Sequence, residues 1–313
     1  MNDHSTPAVG RRAALGLGLA VPVVGATALP ARAADLRGPR PVRGLKAAGE
    51  IGRVKLTWDD RPYTPLVDHY AVYASRTPDF STGPETLLGK TVYTSFKHDR
   101  LGGAAQEWHY RVVVVDAAGD RSRPSALVTG RSKESVAISG RPVATVGTFD
   151  HRSLEMALAP AGYAQIPRRF PNGADYLHGT HQPATDWPYI HPGPSDNWGG
   201  RKPYRYTFRF DLESLPAGEL WLSIWLVDTH ASLAGEIELA LNDTGLGKVR
   251  LENGGTRGSL EGDATVPGTA LKPSYVELAL PRPALVAGRN VLTIDKNVGS
   301  WHVYDALGVF ERR

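Results

Sequence analysis

The chain of 313 residues contains no cysteine. Disulfides, thiolate nucleophiles and cysteine-bound metals are thereby excluded, so stability has to come from packing or from a bound ion. Long apolar runs are missing too. The longest, from Ala13 to Leu29, falls short of the ~20 residues that span a bilayer. Charge of one sign is scarce: the formal net charge is +4, too little to mark a nucleic-acid partner. Common catalytic signatures are absent as well. No G-x-S-x-G elbow or H-E-x-x-H helix occurs, and the stretch around Gly245 and Gly247 lacks the strand-to-helix setting of a nucleotide loop.

What is present begins with an export signal at residues 1–33. A polar start is followed by Arg11-Arg12, the apolar run and Ala31-Arg32-Ala33, a small-x-small cleavage site. The paired arginines point to the twin-arginine route, with an ordinary secretory signal or a retained anchor as the other readings. Cleavage there removes three arginines and one aspartate, leaving a charge of +2 and an extracellular protein with no membrane attachment. Residues 34–133 carry +5 and residues 134–313 carry −3, which fits two domains better than one. Hydrophobic content of 41% predicts packed cores rather than disorder.

From Val42 to Arg131 the pattern is β throughout. "VKLTW" from Val54, "HYAVYAS" from His69 and "WHYRVVVVD" from Trp108 alternate or are β-branched, with turn residues between them. Several such short strands predict an immunoglobulin-like sandwich over residues 34–133. Their order and spacing, with the closing Asp116, Gly119, Ser122, Pro124 and Ser125, resembles a fibronectin type III domain. The resemblance implies that Trp58 and Tyr110 are core residues and that the domain serves as a spacer; the fold itself carries no chemistry.

A second β domain is expected from residue 139 to 313. "PYRYTFRFDL", "ELWLSIWLVD", "GEIELALND", "SYVELALP" and "NVLTIDK" each alternate with a period of two, which suits a jelly-roll or galactose-binding-like sandwich. The chain closes on "SWHVYDALGVFERR", too apolar for a frayed edge and therefore a paired strand that closes the sandwich. Strict alternation sets Trp301, Val303, Asp305, Leu307 and Val309 on one face, unless a bulge at Gly308 resets the register. A carboxylate on that face needs a partner: an arginine, backbone amides, or a structural Ca²⁺ bound by Asp305. No other cofactor is called for.

"VGTFDHRSLEM", the long loop, "YTFRFDL", "ELWLSIWLVDTH" and above all "SWHVYDAL" resemble the carbohydrate-binding-like third domain of rhamnogalacturonan lyases of polysaccharide lyase family 4. In that family a fibronectin-III-like domain precedes the jelly roll, as here. The elimination chemistry lies in a large N-terminal sandwich, for which the stretch before Leu45 leaves no room. The resemblance therefore implies sugar binding and gives no catalytic residue a position in this sequence.

Between Phe170 and Pro203 lie six prolines and five glycines amid aromatic and polar residues. Long irregular segments inside a compact domain are usually functional. A sugar offers an apolar C–H face and a rim of hydroxyls, which flat rings and nearby polar groups complement. Trp187, Tyr189 and Trp198 are the expected stacking rings, with Asp186, Asn197 and Arg201 as polar partners; the alternative is that the rings merely form a lid. His178, His181 and His191 are spaced loosely enough to raise a metal site, but the prolines prevent the helical geometry that would align them. The sequence thus reads as a secreted, monomeric, non-catalytic polysaccharide-binding accessory protein. A compact polysaccharide lyase acting on a uronate polymer and an adhesion module without a sugar site are the alternatives.

Overall fold

The computed structural model describes residues 38–59, 67–258 and 262–312, so the export signal read at residues 1–33 lies outside the described residues. The fold is all-β, in two sandwiches. The first comprises β1 (Lys46–Glu50), β2 (Arg53–Thr57), β3 (Val67–Ser75), β4 (Leu87–Thr91), β5 (Ser95–His98), β6 (Glu107–Asp116) and β7 (Val128–Arg131). Sheet β1-β2-β5 faces sheet β4-β3-β6-β7, a three-on-four immunoglobulin-like arrangement. Every second residue points between them: Val54 and Leu56 of β2 meet Tyr70 and Val72 of β3 and Tyr110, Val112 and Val114 of β6. Trp58 lies in this core, edge-on to Tyr70 at 5.2 Å.

The second sandwich comprises β8 (Arg141–Gly147), β9 (Asp175–Leu177), β10 (Ile190–His191), β11 (Tyr204–Leu212), β12 (Leu220–Thr229), β13 (Glu236–Leu241), β14 (Thr244–Arg250), β15 (Ser274–Ala279), β16 (Gly288–Val298) and β17 (His302–Glu311). One sheet runs β10-β17-β12-β15, with β8 also paired to β17; the other runs β14-β13-β16-β11-β9. Strand β11 shows why: Tyr204, Tyr206, Phe208, Phe210 and Leu212 are buried, while Arg205 and Asp211 between them are exposed. On the outer face Arg205 pairs with Asp295, Arg209 with Asp175 and Arg289 with Asp211, each through two nitrogens. Among the described residues no helix is long and apolar enough to cross a membrane.

The closing strand β17 sits inside its sheet, between β12 on one side and β8 and β10 on the other. Its register differs from strict alternation. Ala306 pairs with Trp225 and Tyr304 with Leu226, so Asp305 is the extra residue of a bulge, three residues before Gly308, where a bulge was the alternative to strict alternation. The bulge sets Tyr304 in the core with Leu307 and Val309, while Asp305, also buried at 1% exposure, takes the unpaired position.

The two sandwiches meet along a built seam. Trp225 of β12 is 1% exposed, and its ring lies 4.8 Å from His151, 5.1 Å from Phe149 and 5.3 Å from Tyr275. Its indole N–H donates to Ser135 Oγ (3.0 Å). Ser135 caps helix α1 (Val136–Ser139) and donates to Glu277, which also accepts the Val136 N–H (3.1 Å) and Ser223 Oγ (2.7 Å). From the first sandwich Gly103 approaches so closely that a Cβ there would stand 2.1 Å from the Trp225 ring. Arg53 bonds Glu252 at 2.6 Å, and Arg100 donates to the Leu271 and Thr269 carbonyls at 3.2 Å. The described residues accordingly form one unit.

Candidate functional site

Much of the long loop is folded into the second sandwich. Pairing of β10 with β17 and a parallel bridge from Ala157 to Pro188 draw residues 187–191 against the sheet. Trp187 is fully buried, with its ring 5.3 Å from Tyr206 and 5.4 Å from Tyr304. Tyr189 is 1% exposed. The expectation that these two rings face outward is corrected: they are core residues, because long-range strand pairing carries their backbone inside. Trp187→Ala should act through stability, costing about 3–5 kcal/mol in a denaturant melt. A change of under 1 kcal/mol would return Trp187 to the surface.

Asp186 ends the short helix α3 (Pro183–Asp186), where α2 spans Ile166–Arg169 just before the loop. Its carboxylate accepts the Gln182 N–H and the Thr185 hydroxyl, both at 2.8 Å. The Gln182 bond, with help from Thr185, holds the acid below its ordinary range. Asp186 thus serves its own helix.

The remaining three residues come together on one turn. The Gly199 and Arg201 N–H groups donate to the Asp196 carbonyl (3.1 and 3.0 Å), and the Gly200 N–H to that of Asn197 (3.1 Å). Gly200 (φ +82°) and Arg201 (φ +54°) close it in the left-handed region, where glycine is favoured. Asn197 and Arg201 are exposed, and Arg201 Nε donates to Asn197 Oδ1. Trp198 is half-buried: one side rests on the core, and its ring stands edge-to-face with Tyr163 at 5.1 Å. Tyr163 is 39% exposed. Sequence reasoning missed it, since it lies in a separate 3-10 turn (Tyr163–Gln165) before the loop and only the fold brings it to Trp198.

The neighbouring cations are distinctive. Arg205, Arg209 and Arg289 are paired with carboxylates, whereas Arg168, Arg169, Arg201 and Lys202 have no acidic partner within 4.0 Å among the described residues. Lys202 instead donates to the Pro171 carbonyl (2.5 Å), lies 4.9 Å from the Tyr204 ring, and so ties the turn to the segment after α2.

The histidines serve separate structural ends. His178 contacts the Thr145 carbonyl (2.9 Å) and His181 that of Asp175 (3.1 Å). His191 is buried between the Tyr304 hydroxyl and the Tyr204 carbonyl, both at 2.9 Å, and burial pushes its pKa down to about 3. Among the described residues no three His, Asp or Glu side chains gather as a metal site. At Asp305 the partner is backbone: the Arg152 N–H donates to its Oδ1 (2.6 Å) and also meets Asp150 Oδ1 (3.0 Å). Burial, with Asp150 beside it, raises the Asp305 pKa to about 9. Two carboxyl groups fall short of the six to eight oxygens that Ca²⁺ takes, so the side chains present do not by themselves fit that ion.

No protein-family model matches the chain. No curated protein matches it either. Among solved structures, an α-L-rhamnosidase from Dictyoglumus thermophilum aligns at 12% identity over 88% of this chain and 29% of that one, with a TM-score of 0.27. The family 28 exopolygalacturonase of Yersinia enterocolitica aligns at 16% identity over 31% of this chain, with a TM-score of 0.26. This chain spans only 21% of the length of that enzyme. The fibronectin type III domain of human fibronectin type III domain containing protein 3 aligns at 17% identity over 33% of this chain and 93% of its own, also at 0.26. Likenesses this weak assign no function.

Proposed function

We propose that this is an extracellular protein that binds an acidic polysaccharide without cleaving it. The observation that carries the reading is the partly exposed Trp198–Tyr163 ring pair, with Asn197 and Arg201 on the Trp198 turn. A pyranose can stack its C–H face on the rings while its hydroxyls meet the amide and guanidinium. Arg168, Arg169, Arg201 and Lys202, which have no acidic partner among the described residues, favour a polymer bearing carboxylates, because a guanidinium recognises a carboxylate through paired hydrogen bonds. The resemblance to rhamnogalacturonan lyases makes a pectic chain the first ligand to try.

Electrophoresis through gels containing rhamnogalacturonan, polygalacturonate or neutral galactan tests it. Retardation by an acidic polymer is expected, weakened about tenfold or more by Trp198→Ala, with the cooperative melting transition retained. Equal mobility in every gel would end the binding reading. New ultraviolet absorbance from unsaturated uronate would instead favour a lyase.

A further inference from the structure

We infer that Asp196 is the positioning residue of the Trp198 turn, its carboxylate clamped by Ser300 and the Gly193 N–H so that the turn presents its ring at a fixed angle. That this angle matters for binding rests on the carbohydrate reading above; how it is fixed rests on geometry. Asp196 is 4% exposed, although Asn197 beside it is exposed. Carboxylates are rarely buried this far unless each oxygen is satisfied. Here each is: Oδ2 accepts the Gly193 N–H (2.8 Å) and Oδ1 accepts the Ser300 hydroxyl. Burial raises the Asp196 pKa, opposed by the Ser300 and Gly193 hydrogen bonds and, more weakly, by the charge of the fully buried Lys296, whose ammonium donates to the Ala234 carbonyl.

The same residue works through its main chain. Its carbonyl takes the Gly199 and Arg201 N–H groups that close the turn. Asp196 therefore joins the turn, through its backbone, to the β16–β17 connection, through its side chain. Ser195 adds a bond to the Gly299 carbonyl (3.0 Å), and the segments run so close that a Cβ on Gly193 would stand 2.4 Å from that oxygen. A six-residue turn bonded only to itself would sample many orientations, since its backbone entropy is then opposed by few contacts. The carboxylate clamp removes that freedom before ligand arrives, which lowers the ordering cost of binding.

The test combines two readouts on the full chain. Tryptic cleavage after Arg201, followed by mass spectrometry, reports local opening of the turn independently of any sugar. Retardation in rhamnogalacturonan gels reports binding. Asp196→Ala should be cut after Arg201 about tenfold faster and lose retardation, with the main thermal transition retained. Asp196→Asn keeps an acceptor for Gly193 and should recover both. If Asp196→Ala is cut at the wild-type rate, the inference falls while the binding reading stands. If wild type is not retarded, the binding reading falls and the cleavage rates still decide the clamp. Should Asp196→Ala fail to fold, Ser300→Ala removes one donor only and should be cut faster than wild type; an unchanged rate there overturns the clamp.

Discussion

Trp225→Ala should split one cooperative thermal transition into two and cost about 3–5 kcal/mol. The side chain is large, 1% exposed and in contact with both sides of the seam. Its removal leaves the Ser135 hydroxyl without its indole donor and opens space beside Phe149, His151 and Tyr275. Each sandwich keeps its own core, because Trp225 belongs to neither. Loss of the contact should therefore uncouple two folded bodies rather than unfold one. Gly103→Ala attacks the same contact from the other side, driving a methyl into the ring, and should shift the transition in the same direction. Calorimetry of both variants is the measurement. A single transition at the wild-type midpoint would mean that the seam transmits no stability.

Asp305→Asn should gain stability over wild type as pH rises from about 4 to about 9, by up to about 1.4 kcal/mol per pH unit. Burial raises the Asp305 pKa from 3.8 to about 9, so across that window the folded chain holds a proton that the unfolded chain has lost. Folding then takes up a proton, and its contribution falls as pH rises; above about 9 both states are ionised and the penalty levels off. The groups facing this acid are Asp150, the His151 and Arg152 amides, and Tyr275, whose hydroxyl pKa is raised chiefly by burial and then by the Asp305 charge. Protonated Asp305 can donate to Asp150 while accepting from Arg152. Asparagine reproduces both bonds without a proton to take up. Paired urea melts from pH 4 to pH 9 would show the gap widening with pH. A constant gap would mean that Asp305 is ionised in the folded chain.

Legibility of the site divided along a physical line. That Trp198, Asn197 and Arg201 share a surface turn was legible because aromatic and polar residues crowd a proline-broken stretch, and turn chemistry is local. Trp187 and Tyr189 carry the same composition eleven and nine residues earlier, yet they lie inside, because the partner of β10 is a strand more than a hundred residues away. Tyr163 had no local mark at all. Asp305 was recognised as an acid that needed a partner, but the bulge that hands it to Arg152 depends on how β17 meets β12.

The β class, the alternating core faces and the burial of the closing strand are readable along the chain, because a period of two is imposed by the backbone of each strand. Which rings of the loop face solvent, where the register slips at Asp305, and the joining of two sandwiches by Trp225 emerge with the folded chain alone. Those outcomes are set by contacts between segments distant in the chain, and no local pattern records them.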